Sequence, residues 1–495
     1  MDAQPIVIAG AGPVGLSLAL GLARRGVKSI VLEQKAELSE HSKAVVATVR
    51  TIEIFHEWGI ADTFKEASEW VEEITLHDST NDKVVLGFSF ETLRPISPTP
   101  GVCIVTQDET ERLLCEACLA SGLVEVRFGH MVGAFDSGET GVRVRVQSKE
   151  GEYVLESGYL CGCDGAHSSV RGGLGLKLEG KTYDAHAILA DVIINDQRDR
   201  MPWPRSNIHV HSLSAAVRMK ANRWRIIFAQ AGGADEGPPT AEFVQAKVEE
   251  LIAPGPVEIA WSSRFKIHCR NAPHFRVGRV VLLGDAAHLN SPAGGQGMNA
   301  GIQDSHNLAW KLAAALNGFD AELLLKSYDD ERYDAMTHNV DVATDRLTRI
   351  GILAPVWLRS FVFAIVKWVT PFRRIQRRMA GGAGMLNLRY DQSDLIDATG
   401  GRYMPDVDLG DGLRLRAALG PDGGIVEVAQ SGRKLFLGEA TYDLSGSASE
   451  EMVRAGGPFF AVRPDHVVAY SGGSREQAEA YVRFWKLDGA RVVST

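Results

Sequence analysis

Short apolar runs and longer amphipathic ones alternate at the start of the chain. Residues 5–10 (PIVIAG) are apolar over the length of a strand. Gly12 to Gly26 repeats apolar residues at helical spacing, with Leu16, Leu20 and Ala23 on one face. Ser29 to Glu33 (SIVLE) predicts a second strand. Strand, helix and strand in that order predict a βαβ unit, and hence a parallel α/β sheet. Helical periodicity returns at Arg50 to Gly59 and at Glu109 to Ser121. Val142 to Val146 and Tyr153 to Leu155 alternate as strands do.

From His186 to Ala229 the pattern changes. The runs ILADVII, NIHVHSL and WRIIFA predict a mostly antiparallel sheet. Pro238, Pro239, Pro254 and Pro256 bracket one helix. Arg279 to Gly284 (RVVLLG) is a buried strand, followed by a glycine-rich loop and a helix from Gly301 to Leu316. Helical patterns run on to about Met379, and after Gly400 strand and helix mix again. There is no internal repeat.

Composition narrows the class. Of 495 residues 45% are hydrophobic and 23% charged, which excludes disordered and collagen-like chains. Acidic residues outnumber basic ones 62 to 53, a net charge of −9 that argues against nucleic acid as a partner. Six cysteines are too few for a disulfide scaffold. Cys115-x-x-Cys118 is either half of a zinc site or, on the plainer reading, two core thiols. The opening residues lack a signal peptide, so a cytoplasmic protein is expected. Ile350 to Phe372 is apolar but interrupted by Pro355, Arg359 and Lys367, so it predicts a packed amphipathic helix and no membrane span.

Two segments carry chemistry. In Gly10-Ala11-Gly12-Pro13-Val14-Gly15 the first glycine makes a tight turn, Gly12 admits a pyrophosphate and Gly15 lets helix and strand pack. Glu33, with Gln34 beside it, stands at the end of the second strand, where an acid accepts ribose hydroxyls. This fingerprint does not choose between NAD and FAD. A second match, Gly295-x-Gly297-x-x-Ala300, lies too far from its strand to be another such turn. Gly284-Asp285 ends the buried strand at 279–284, where a carboxylate needs strong donors such as a ribitol chain. The following loop, Ser291-Pro292 through Gly295, Gly297, Met298 and Asn299, lets backbone approach a flat ligand and places a helix N-terminus beside it.

GAGPVG…VLE, then Cys163-Asp164-Gly165 through Arg171, then GRVVLLGDAAH resemble the class A FAD-dependent aromatic hydroxylases, the flavoprotein monooxygenases of the para-hydroxybenzoate and phenol hydroxylase type. The resemblance implies a Rossmann-like FAD-binding domain in two parts (residues 1–180 and 267–345), with an inserted β-sheet substrate domain at 181–266. A helical connection (346–395) and a thioredoxin-like C-terminal domain (396–495) would follow, the latter without redox thiols because no cysteine lies beyond Cys269. It implies that NAD(P)H reduces FAD, that O2 adds to give a flavin C4a-hydroperoxide, and that a phenolic ring is hydroxylated. On this resemblance Asp285 holds the ribitol, Asp164 and Arg171 serve the pyrophosphate and NAD(P)H, and Gln107 contacts the flavin chain. Lys43 stands where the family usually has Arg, which weakens a bidentate phosphate contact. Arg50 fits the pattern or is a surface charge.

For catalysis, His209 and His211 share one side of a strand and are either candidate bases for a phenol or two partly exposed histidines. Arg225 is either near the flavin ring or in an edge salt bridge, and Pro292 belongs to the flavin loop. The expected partners are a small aromatic substrate and O2, with a homodimer allowed. Two alternatives stay open: a Baeyer–Villiger oxygenase on the same fold, and a flavin-binding protein without turnover.

Overall fold

The computed structural model describes residues 4–39, 44–78, 83–200, 203–208, 212–232, 237–290, 295–340 and 370–486, with positions 345, 349, 358, 362, 365 and 368 between the last two. The opening βαβ unit is Ile6–Ala9, Pro13–Ala23 and Ser29–Glu33. Its strands sit in a six-stranded sheet with Val124–Phe128 on one side and Leu160–Gly162 and Val280–Leu282 on the other, all parallel. Arg276–Val277 closes the edge antiparallel. Ile6, Val7, Ile8, Val31, Leu160, Val281 and Leu282 are wholly buried, as strands covered on both faces must be.

The helix Pro13–Ala23 packs along the longer helix Gln296–Leu316. Small residues allow this closeness: a methyl group on Gly301 would lie 2.4 Å from Val14 Cγ2, and one on Gly21 2.9 Å from Ala309 Cβ. The long helix begins five residues before the expected Gly301, because the glycine-rich stretch forms its first turn. Cys115 and Cys118 lie buried as free thiols in the helix Gln107–Ala120, and Cys118 Sγ donates to Leu16 O at 3.2 Å. Among the described residues no group of three or more His, Cys, Asp or Glu side chains that could hold a metal ion occurs.

The second sheet has eight strands, built on Glu179–Ile193, Ser212–Arg218, Arg223–Ala231 and Glu258–Asn271. It is antiparallel except where Arg205–Ile208 meets Glu73–Asp78. That meeting was not legible: Glu73–Asp78 and Val84–Ser89 join this sheet from a stretch assigned to the first part of the FAD domain. One face carries the helix Ala241–Leu251, packed on Ala190, Val192, Ala216 and Ile226. The other turns Val217 toward Val45, Val49 and Ile104 beside the parallel sheet.

The last hundred residues build a five-stranded sheet with the order Ala440–Asp443, Lys434–Leu437, Gly424–Val428, Phe459–Val462, Val468–Gly472. Every pairing in it is antiparallel. It has its own core around Val426, Leu435, Met452 and Phe460. Buried charges join it to the rest. Glu331 accepts from Lys311 at 2.9 Å and from both terminal nitrogens of Arg463 at 2.6 and 2.9 Å, and Arg463 also pairs with Asp465. Such groups are tolerable in the interior only because each charge is matched. No helix among the described residues is long and apolar enough to cross a membrane. The stretch expected to pack as an amphipathic helix lies mostly outside the described residues; of the positions described in it, Ile365, Trp368 and Phe372 are exposed and Leu358 and Val362 half-buried.

Candidate functional site

The strand Ile6–Ala9 runs into Gly10, whose φ of +101° only glycine adopts easily. Its N–H donates to Leu32 O at 2.7 Å, and a methyl group there would lie 2.5 Å from Cys163 O. Gly12 and Pro13 then open the helix with no side-chain cap and no acid in the first turn. The helix therefore presents unsatisfied N–H groups and a partial positive charge. Beside Gly12 there is open space. Glu33 closes the turn by accepting from Ala11 N at 2.9 Å and Lys35 N at 3.0 Å, with Gln34 exposed next to it.

The Asp164 loop leans on this turn. Asp164 Oδ2 accepts from Ser169 N, Ser169 Oγ and Val170 N at 2.7, 2.9 and 3.1 Å. Its Oδ1 is buried with no hydrogen-bond partner. Arg171 reaches from the same loop to Ala166 O at 2.8 Å and Ala286 O at 3.0 Å. It thereby ties the Asp164 loop to the turn Gly284–Ala286, where Asp285 is exposed. Gly284 packs against Val14 of the first helix, so the two turns form one groove.

At the far side of that turn Gly295 takes a left-handed conformation (φ +64°) and starts the long helix, again uncapped and without an acid. Gly297 has open space beside it, and Met298 is half-buried. Asn299 holds this end in place. Its amide donates to Val46 O and Gly295 O, both at 2.8 Å, and its oxygen accepts from Thr48 N at 2.9 Å and Thr51 Oγ1 at 2.6 Å. Asn299 was expected to serve a ligand through its backbone N–H, and its side chain is engaged in these four bonds.

Other expected residues lie elsewhere or beyond view. Arg50 is wholly buried, bonded to Glu53 at 3.2 Å and Asp465 O at 3.0 Å and stacked 4.0 Å over Tyr403. It is neither a surface charge nor part of the groove, because the C-terminal segment covers it. Arg225 makes a salt bridge with Asp191 across neighbouring strands, but in the buried middle of the sheet, with Trp261 5.5 Å from its guanidinium. Gln107 begins its helix, donates to Glu111 at 2.8 Å and accepts from Ala44 N at 3.4 Å. Lys43, His209, His211 and Pro292 lie outside the described residues.

Two features were missed. Glu111 accepts from Ser39 N beside Glu33, and burial pushes its carboxyl above the usual range. Behind the Gly284 turn, Asp304 accepts from Gly284 N at 2.9 Å, His288 at 2.7 Å and Arg332 at 2.6 Å. Burial alone would raise the Asp304 carboxyl, but Arg332 and His288 outweigh it and hold it down at about 2. Only His288 lay within a motif; Asp304 and Arg332 sit in ordinary helical sequence.

The donor set fits an elongated dianionic dinucleotide bearing a flat ring. Two uncapped helix N-termini, an orphaned buried oxygen on Asp164 and open space at Gly12 and Gly297 lie along one groove.

Comparison with known proteins agrees. Residues 3–343 match the FAD binding domain family. The chain is 36% identical over 340 residues to the 12-dehydrotetracycline 5-monooxygenase/anhydrotetracycline 6-monooxygenase of Streptomyces rimosus, covering 66% of each. It is 29% identical to a rifampicin monooxygenase of Streptomyces venezuelae over 97% of this chain and 98% of that one. The solved anhydrotetracycline hydroxylase of Streptomyces rimosus superposes with a TM-score of 0.76 at 27% identity, over 98% of this chain and 99% of that one. The chain belongs to the FAD-binding-domain family of flavin-dependent aromatic monooxygenases, with FAD as its cofactor.

Proposed function

We propose that this enzyme hydroxylates a fused-ring phenolic compound with O2 and NAD(P)H. Bound FAD supplies the oxygen chemistry, taking electrons from NAD(P)H and activating O2. The chain's own residues bind, orient and shield. Glu33 accepts the adenosine ribose hydroxyls with Gln34 beside it, Gln107 contacts the flavin chain, and Lys43 is kept as a phosphate contact. The N–H groups of the helix opening at Gly12 and Pro13 take the pyrophosphate. Asp164 and Arg171 fix the loop beside it, and Asp285 accepts from the ribitol. The backbone N–H groups at Gly297, Met298 and Asn299 stabilise negative charge on the ring.

The substrate is assigned to the space between the eight-stranded sheet and this groove. Val45, Val49 and Ile104 pack with Val217 and Met219 from the sheet, which makes the contact between the two regions apolar. Arg225 and Asp191 stand on the same sheet face as Val217, by the alternation of strands. The fused-ring class rests on the relatives, which are named for tetracycline precursors and rifampicin. His209 or His211 remains the proposed base for a phenol proton.

The proposed domain limits stay at 1–180 and 267–345 for FAD, 181–266 for the substrate sheet with the strands from 73–89 added, 346–395 for the connection and 396–495 for the tail. The tail is read as thioredoxin-like. Lys434–Leu437, Gly424–Val428, Phe459–Val462 and Val468–Gly472 lie in the order expected of that fold, with the helix Arg475–Val482 after the last strand. The first helix of such a fold is replaced by a hairpin, so the strand that would be parallel is antiparallel. A redox motif would sit on that missing helix.

The observation that carries the functional reading is the uncapped helix behind left-handed Gly295, facing the Asp285 turn. The test is a screen of mono- and polycyclic phenols that follows NAD(P)H consumption and product mass together. A product heavier by one oxygen, formed in step with NAD(P)H use, supports the reading. NAD(P)H use without product from any phenol overturns it.

A further inference from the structure

A cleft of about 610 Å³ opens where three parts of the chain meet. They are the turn at 89–95 following the eight-stranded sheet's edge, the start of the helix Arg373–Ala383, and the C-terminal unit at 408–414 and 445–448. None of the lining residues belongs to the FAD groove. Arg94, Arg373 and Arg414 line it, in a chain whose net charge is −9.

Their bonding leaves capacity unused. Arg94 is held by Glu91, with Nη2 2.7 Å from Oε2. Among the described residues Arg414 donates one long side-chain bond, 3.4 Å to Arg94 O, and its Nε is buried without a hydrogen-bond partner. Burial raises the nearby Asp406 carboxyl, and the Arg414 charge helps to oppose that rise. Arg373 is exposed and makes no hydrogen bond or ion pair among the described residues. The lining acids are Glu91, already paired, and Asp408, which accepts from Gly410 N at 2.8 Å. Two helices begin at the cleft. Arg373–Ala383 starts without a side-chain cap, and Gly446–Ala455 starts behind Ser445, whose hydroxyl caps it by accepting from Ala448 N at 3.4 Å and lies 3.4 Å from that of Ser447.

We propose that this cleft binds a phosphate-bearing small molecule, which bridges the C-terminal unit to the edge of the substrate sheet. Cations approach from three separate segments, and hydroxyls and helix N–H groups fill the space between them. A tetrahedral dianion has enough oxygens and charge to engage all of these. A carboxylate, with two oxygens and one charge, satisfies only one side. Because the occupant spans segments far apart in sequence, binding favours the folded state by linkage.

The test uses the full chain saturated with FAD, so that the dinucleotide groove is filled. Inorganic phosphate, pyrophosphate and ADP are titrated by calorimetry, with acetate as the carboxylate control. One saturable site per chain for a phosphate compound, and none for acetate, is expected. Tighter binding of ADP than of pyrophosphate would assign a nucleotide; equal or weaker binding would assign a free phosphate. Both support the site. Arg373→Gln and Arg414→Gln should each raise the dissociation constant about tenfold or more while FAD retention is unchanged. The Arg373 side chain makes no bond among the described residues, so its replacement carries the test even if the Arg414 variant fails to fold. Absence of saturable binding by all three phosphates, or an unchanged constant in the Arg373 variant, overturns the proposal.

Discussion

The two glycine turns of the groove resemble each other in letters and differ in what holds them. Both open a helix that lacks a side-chain cap. At the first, a methyl group on Gly10 would lie 2.5 Å from Cys163 O, and one on Gly15 2.0 Å from Gly10 O. Backbone surrounds it, and backbone cannot yield. At the second, a methyl group on Gly295 would meet only the Val46 side chain, at 3.5 Å, and one on Gly297 would meet nothing. Its position comes from the four bonds of Asn299. One turn is fixed by contact, the other by a polar clamp that a single substitution removes.

That difference can be broken experimentally. The largest effect is expected from Gly10→Ala, which should abolish retention of FAD, read as flavin absorbance after gel filtration. Gly295→Ala should retain FAD and lose about 1–2 kcal/mol, the cost of a left-handed non-glycine residue. If the two variants retain FAD equally, the contrast between the turns is wrong. Asn299→Ala comes next: at roughly 1 kcal/mol per lost hydrogen bond, about 2–4 kcal/mol of stability should go, seen as a lower Tm. Asp285→Ala should leave the fold intact and weaken FAD binding about ten- to a hundredfold, since a bond to a charged group contributes about 1.5–3 kcal/mol. Unchanged release of FAD on dilution would remove Asp285 from the site.

The smallest effect is one of pH and lies outside both turns. Burial, helped by Arg416 and Arg50, outweighs Glu57 and holds His466 down at about 3. Between about 6.5 and 3 the unfolded chain binds a proton there that the folded chain does not. Stability should therefore fall on acidification from pH 7 toward 5, above the range in which carboxylates held down by the fold, such as Glu331 at about 2, add their own loss as the unfolded chain protonates them near 4.5. His466 has a φ of +61°, so His466→Asn is the suitable replacement; it should flatten the decline of Tm over that range. A slope identical to that of the unaltered chain would place the titration elsewhere.

What was legible in the sequence follows from range. The βαβ unit and its fingerprint depend on neighbours in the chain, and Gly10, Gly12 and Glu33 lie where their spacing put them. The long helix started earlier than its apolar periodicity suggested, because Gln296 to Asn299 are fixed by tertiary bonds that no periodicity records. Arg50 was misread for the same reason: its partners, Tyr403 and Asp465, are more than 350 residues away. The strands at 73–78 and 84–89 pair with each other, but the strand that joins them to the large sheet, at 205–208, is supplied far downstream, so their membership of it was invisible locally.

The seam of Lys311, Glu331, Arg463 and Asp465 has a consequence for exchanging parts between relatives. A chimera joined near residue 396 inherits Lys311 and Glu331 from one parent, and the partners of those charges from the other. Unless both parents carry the same arrangement, a charge is stranded in the interior, where an unpaired one typically costs about 3–5 kcal/mol. The tail is therefore tied to its own front half as a key is to its lock, and the junction for a viable graft lies outside this set of residues.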